Sequence, residues 1–209
     1  MLFFQSPLVI LGIAVALVVG ITFHEFSHAY VADQLGDRRP RALGRVSLNP
    51  ARHIEPMGAL LFVIAGFGWG RPVPVNAYAL RGGLRSMAFV SAAGPVANLA
   101  VALAFAIPVR VILLSGIDAS IATSILFDVV RFNVILGLFN LLPIPPLDGY
   151  RFALTFLPPR QVYVVQRYEQ YGFLILLALI LLGSAVPGGG PLGVLFFVAS
   201  LIARTLVGA

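Results

Sequence analysis

The chain reads as an all-α polytopic membrane protein with about five spanning helices plus a re-entrant or interfacial element carrying short β segments. Three observations predict this. Of 209 residues, 59% are hydrophobic and only 11% charged. Several apolar runs are longer than the core helices of a soluble domain of this size. The charges, meanwhile, fall in short loops between those runs. No polar segment is long enough to make an appended soluble module, so residues 1–209 are expected to form one membrane-embedded domain, with a core at about 7–160 and additional helices at about 170–207.

The elements follow in order. Residues 7–31 can form a helix long enough to cross a bilayer, ending near Gly36 as a C-terminal cap. The run begins at Pro7 without the basic flank or cleavage site of a signal peptide, and is expected to be retained. After the loop "DRRPRALGRVSLNPARHIEP" comes "MGALLFVIAGFGW". This run is too short to cross and is interrupted by glycines, which suits an element that dips in and returns. Arg38, Arg39, Arg41, Arg45 and Arg52 precede it, and Arg71, Arg81 and Arg85 follow, so a return keeps both basic loops on one side. "RPVPVN" at 71–76 is strand-like. Further crossings are expected at about 86–114, 121–146, 170–186 and 191–207. That path puts the loops around Asp118 and Gly189 outside, with the N-terminus outside and the C-terminus in the cytoplasm, and leaves twelve of the fourteen arginines inside.

Composition also excludes function classes. The net charge of +6 would suggest nucleic acid in a soluble domain, but here the positive-inside pattern accounts for it, so no nucleic-acid partner is expected. With no cysteine, disulfides and thiolate metal ligands are excluded. Any metal must be held by His, Asp or Glu.

"HEFSH" at 24–28 lies in the last turns of the first span. Residues four apart on a helix stand about 40° apart around its axis, so the imidazoles of His24 and His28 can converge on one ion. Glu25, about 100° round from His24, can reach a water on that ion without becoming a ligand. This is the logic of H-E-x-x-H: the metal acidifies water and the glutamate takes the proton. Ionisable groups inside a membrane helix cost roughly 2.5 to 3.5 kcal/mol each on insertion scales, so three on neighbouring positions need a function. A hydrolytic zinc site usually has a third protein ligand. Asp33 points elsewhere on the helix and Asp37 lies beyond it, which leaves Asp148 or the pair His53 and Glu55. Pro143, Pro145 and Pro146 end the preceding helix, so Asp148 occupies an unwound turn at about the depth of His28; the alternative is that it merely caps the next helix.

Taken together, "HEFSH", "NLLPIPPLDG" at 140–149 and "GPVAN" at 94–98 resemble the site-2 protease family of intramembrane zinc metalloproteases, in order and spacing, across about residues 7–160. "NPARHIEPMG" and "GWGRPVPVN" further resemble its compact bacterial and archaeal subgroup without PDZ or CBS domains. The resemblance implies Zn2+ held by His24, His28 and Asp148, Glu25 as general base, and Asn140 beside the metal as a donor to the substrate carbonyl or oxyanion. Asn133, Gly137 and Asn140 share one helix face. Ser91, Gly94, Asn98 and Ala102 form a small, polar stripe that suits packing against the catalytic helices, with Asn98 a possible auxiliary residue. His53 is a second auxiliary candidate, carried towards the site by the re-entrant run.

The implied activity is hydrolysis of peptide bonds in or near transmembrane segments, with transmembrane proteins as substrates, the lipid bilayer as surroundings and an opening towards the cytoplasm. The alternative is a zinc-binding membrane regulator or scaffold without protease activity, which would be expected to lack the base or a ligand. A metal or proton transporter would show ionisable groups at several depths on several spans. Here they are few, and Asp128 and Arg131 lie one turn apart near the outer interface, placed to pair with each other.

Overall fold

A computed structural model describes residues 7–65, 68–117 and 119–208. Among these it contains α1 (Pro7–Gln34), α2 (Arg39–Ala42), α3 (Pro56–Ala65), α4 (Leu84–Ser115), α5 (Ser120–Asn140), α6 (Asp148–Leu154), α7 (Pro159–Gln166), α8 (Gly172–Ala185) and α9 (Gly190–Val207). Four helices, α1, α4, α5 and α9, are long and apolar enough to cross a membrane. Asp118, expected in an outer loop, lies outside the described residues.

The bundle is built on α1, α4 and α5. Small residues make their close approach possible: Gly20 of α1 faces Phe132 and Asn133 of α5, and Gly137 of α5 faces the carbonyl of Pro95 in α4. In lipid there is no solvent-driven collapse between helices, so packing of such faces and buried polar contacts must hold the bundle together. On the other side of α4 and α5, Ala199, Ala203 and Val207 of α9 bury against Ala102, Ala106, Val109, Val130 and Val134.

The short apolar run behaves as expected at its described positions. Its helix, α3, has ten residues, about 15 Å of rise and so half a hydrocarbon core. The chain then doubles back. Gly58 lies so close to the carbonyl of Trp69 that a side chain would not fit, and Ile54 and Gly70 form an antiparallel bridge. Gly66 and Phe67 of this run lie outside the described residues.

The expected short β segments are not found. Among the described residues the Ile54–Gly70 pair is an isolated bridge and 71–76 forms no strand. Pro72 and Pro74 lack the N–H groups a strand needs.

The path of the last two helices also departs from expectation. α8 has 14 residues, about 21 Å of rise, which is short for a crossing. Its first residue, Gly172, packs on Pro145, and Gly183 packs on Gly189 and Leu192 at the start of α9. Joined to α7 through a 40° bend, it is long and apolar enough to count as a broken span or a re-entrant loop, so the described residues hold four candidate spans, or five with this pair, in line with the expected number. α9 then runs in the same direction as α4: Phe196 lines the cavity that holds His24 and Asp148, while Gly208 lies against Arg110, near the far end of α4. Pro7 and Gly208 therefore lie at one end of the bundle, where the expected path puts the two ends of the chain apart. Asp128 and Arg131 show no ion pair; instead the Asp128 carboxylate fills the space beside Gly12.

At the opposite end, loops are stapled to the end of α1. Its last carbonyls have no helical partner, and the Leu35 carbonyl accepts from the Arg81 N–H at 2.7 Å. Asp33 is paired with Arg38 and Arg41. Asp37, 1% exposed, accepts from Arg39 and from the Asn76 N–H at 2.7 Å, tying 71–76 to the bundle. Its bonds to Arg39, reinforced by the Asn76 and Arg39 backbone N–H groups, hold the Asp37 carboxyl down at about 2. A depressed carboxyl contributes stability that is present above its unfolded value of 3.8 and lost as pH falls through the folded value. Thermal unfolding in detergent should therefore show Asp37→Asn destabilised by about 2 kcal/mol at pH 6, with the gap to wild type closing between about pH 4 and pH 2.

Candidate metal centre

His24 and His28 lie on one face of α1, both buried. Asp148 is brought to them from the other end of the central bundle sequence. After α5 ends at Asn140, the proline-rich turn folds the chain back so tightly that Gly149 sits on the carbonyls of Leu141 and Leu142, leaving no room for a side chain. Asp148 is then the first residue of α6 and makes no cap for it; Leu147 holds the cap position. Its Oδ2 stands 3.0 Å from His24 Nε2 and 3.1 Å from His28 Nε2, and the two Nε2 atoms are 3.1 Å apart.

The proton positions on both rings follow from backbone carbonyls, which can only accept. His28 Nδ1 lies 2.7 Å from the Val90 carbonyl, so Nδ1 carries a hydrogen and, in the neutral ring, Nε2 presents a lone pair. For His24 the argument takes one more step. Asn98 Nδ2 donates to the Gly20 carbonyl at 3.1 Å and to Asn133 Oδ1 at 2.8 Å, which fixes the amide with Oδ1 facing His24 Nδ1 at 2.6 Å. His24 must therefore donate from Nδ1. Asn133 is fixed in turn, its Nδ2 donating to the Val129 carbonyl.

With both rings neutral, two imidazole lone pairs and a carboxylate oxygen thus face one another at about 3 Å. Such an array is repulsive unless a cation sits at its centre. Three donors on a tetrahedral zinc at 2.0–2.1 Å lie about 3.3 Å apart, so the triangle is close to the right size. Among the described residues these three are the group able to hold a metal ion. They line a cavity of about 420 Å³ together with Glu25 and Asn140, and most of the remaining lining is apolar, including Ile21, Phe62, Val73 and Phe139. Leu176 of α8 and Phe196 of α9 complete the wall, so helices beyond the expected core contribute to the site.

The other expected residues fall as follows. Asn140 lines the cavity, with its Nδ2 turned back to the Leu136 carbonyl at 3.0 Å. Asn98 does more than pack: it orients His24. His53 and Glu55 are not part of the triad; Glu55 pairs with Arg71 at 3.3 Å. His53 is fully buried, with Nε2 donating to the Ser47 carbonyl at 2.6 Å, and burial, helped by the charge of Arg45, pushes its pKa down. It is a neutral residue of the loop. Sequence reasoning missed the Val90 carbonyl, because a backbone acceptor has no signature in residue types, and Arg45, which reads as one more loop arginine.

Gly94 explains how α4 comes so near. A Cβ there would lie 2.6 Å from His24 Cε1 and 2.7 Å from His24 Nε2, and closer still to His28 Nε2. Gly94→Ala should displace both rings and abolish stoichiometric zinc in the purified protein. Asn98→Ala removes the orienting acceptor together with the amide's bonds to Gly20 and Asn133, and a zinc titration should show affinity lower by about 10- to 100-fold.

The peptidase family M50 model matches residues 108–183. YwhC of Bacillus subtilis (strain 168), provisionally named a zinc metalloprotease, is 39% identical over 181 residues, covering 83% of each chain. Rip2 of Mycobacterium tuberculosis (strain ATCC 25618 / H37Rv), provisionally named in the same way, is 33% identical over 188 residues, covering 84% of this chain and 70% of its own. No solved structure matches. The chain belongs to peptidase family M50, the site-2 proteases, and is a multi-pass membrane protein with zinc as its cofactor.

Proposed function

We propose that the protein is an intramembrane endopeptidase that hydrolyses peptide bonds in or near the transmembrane segments of other membrane proteins, with His24, His28 and Asp148 as its zinc ligands. The observation that carries this reading is the convergence of three metal-ligating atoms at 3.0–3.1 Å in an apolar cavity between spans, with an unligated glutamate beside them. An apolar wall suits the side chains of a membrane segment, and the polar groups at its base suit an exposed peptide bond.

Bound zinc supplies a Lewis acid and makes water acidic enough to attack near neutral pH. Glu25 takes the proton of the attacking water on a carboxylate oxygen and delivers it to the leaving nitrogen. Asn140, once its amide turns from Leu136 into the cavity, donates from Nδ2 to the carbonyl oxygen of the scissile bond. A helical substrate hides its backbone in i to i−4 bonds, so the segment must unwind before it can lie along the wall, which favours helix-weakening residues near the cleaved bond.

Charge supports a cytoplasmic opening. With α9 running towards the far end, Arg110, Arg131 and Arg204 lie away from the site end, leaving eleven of the fourteen arginines at the site end, in loops, short helices and the first turn of α4.

The test is cleavage of co-expressed single-span substrates by wild type and Glu25→Gln, with zinc measured in both. Glu25→Gln should keep its zinc and lose about 10²- to 10⁴-fold in rate. Retained cleavage in that variant would overturn the assignment of the base, and a wild type that cleaves no membrane segment would overturn the proposed activity.

A further inference from the structure

We propose that Arg45 and His53 are positioning residues that clamp the backbone at Gly70 and Arg71 against Glu25 and thereby fix the cavity wall along which substrate lies. The proposal rests on the proteolytic reading for the word substrate; the clamp itself rests on geometry. The peptide of Arg71 is held at both ends. Its N–H donates to the His53 carbonyl at 2.6 Å, and its carbonyl accepts from Arg45 Nη2. The Ile54–Gly70 bridge continues the same contact. His53 is in turn anchored by Nε2 to the Ser47 carbonyl, so the loop between Arg45 and His53 closes on itself before it grips residue 71.

The gripped segment is the one that meets the site. Gly70, Pro72 and Val73 line the cavity. A Cβ on Gly70 would stand 3.5 Å from Glu25 Oε1 and 3.2 Å from the His53 carbonyl, so residue 70 is wedged between the anchor and the proposed base. Both anchoring side chains are costly choices for a loop that needed only stability. His53 is 0% exposed and Arg45 6% exposed, and among the described residues Arg45 has no carboxylate within ion-pair distance. A buried guanidinium without such a partner is less stable than an apolar residue of similar size. The acidic group whose charge bears on both Arg45 and His53 is Glu25, while Arg45 Nη2 holds the wall through the Arg71 carbonyl.

The experiment uses the full, zinc-loaded chain and four side-chain variants. Arg45→Met keeps length but loses the donor, while Arg45→Lys keeps a donor and the charge. His53→Phe loses the bond to Ser47, while His53→Gln can keep it. Hydrogen exchange of amides at 70–76, zinc content, affinity for a peptidyl hydroxamate and substrate cleavage are read together. Arg45→Met and His53→Phe should raise exchange in 70–76 and lower both hydroxamate affinity and cleavage by about tenfold or more, with zinc unchanged; Arg45→Lys and His53→Gln should recover most of each. Arg71→Pro deletes the clamped N–H without touching either buried side chain and should reproduce the loss, which decides the matter if Arg45→Met fails to fold. Unchanged exchange overturns the clamp. Raised exchange with unchanged hydroxamate affinity and cleavage overturns its positioning role, and so does loss of zinc. A wild type that cleaves nothing sinks the proposed activity alone, since exchange and hydroxamate binding still report on the clamp.

Discussion

Everything in this molecule is arranged so that two imidazole lone pairs from α1 and one carboxylate oxygen from α6 meet at a single point inside an apolar bundle. That convergence is demanding, because a neutral imidazole can present either nitrogen and its rings rotate freely. Two backbone carbonyls remove the freedom. The Val90 carbonyl sets the hydrogen on His28 directly, and the Gly20 carbonyl sets the amide of Asn98, which sets the hydrogen on His24. A carbonyl only accepts, so each ring keeps a hydrogen on Nδ1 and turns Nε2 to the site. In a region with little water to compete, such a chain of bonds is worth more than it would be on a surface.

The helix packing follows from that requirement. α4 must pass close enough to α1 for Val90 and Asn98, two turns apart, both to reach ring nitrogens, and Gly94 lies between them, where α4 runs over the rings themselves. The seam between α4, α5 and α9 is built from alanines and valines for the same reason of close approach. On the other flank, the proline-rich turn after α5 and the contact of Gly149 with the α5 terminus fold Asp148 back to the depth of the histidines.

How much of this was legible in the sequence depended on whether the information was local. His24, Glu25 and His28 are legible because helical spacing alone puts them on one side of α1. The return of the short apolar run is legible from its length and its flanking arginines. Asp148 could be narrowed to one of two candidates by depth, and the family resemblance then favoured it; the structure brings it to the histidines and leaves His53 and Glu55 aside. Three features were not legible. The course of α9 depends on which end of α4 accepts its alanine face, and hydropathy reads a helix identically in both directions. The strand-like 71–76 has the right side chains, but its neighbours supply one bridge and no ladder. Asn98 carries a small polar stripe whether it merely packs or orients a ligand, and the two uses differ only by which atom lies across from it.

The remaining design problem is the wall opposite the metal. Irregular backbone is tolerated at membrane depth only where protein or a polar cavity satisfies it, and a segment with the proposed role of meeting an unwound peptide would have to keep part of its backbone turned towards the cavity. The structure resolves this by fastening the wall from behind. Asp37 holds the Asn76 N–H, the His53 carbonyl holds the Arg71 N–H, and Arg45 holds the Arg71 carbonyl. Pro72 and Pro74 carry no N–H to satisfy and narrow the choice of backbone angles between those fastenings. The wall is therefore stiff without being part of a sheet. That is the physical reason a stretch that looks like a strand in the sequence lines the cavity of the candidate metal site without a ladder.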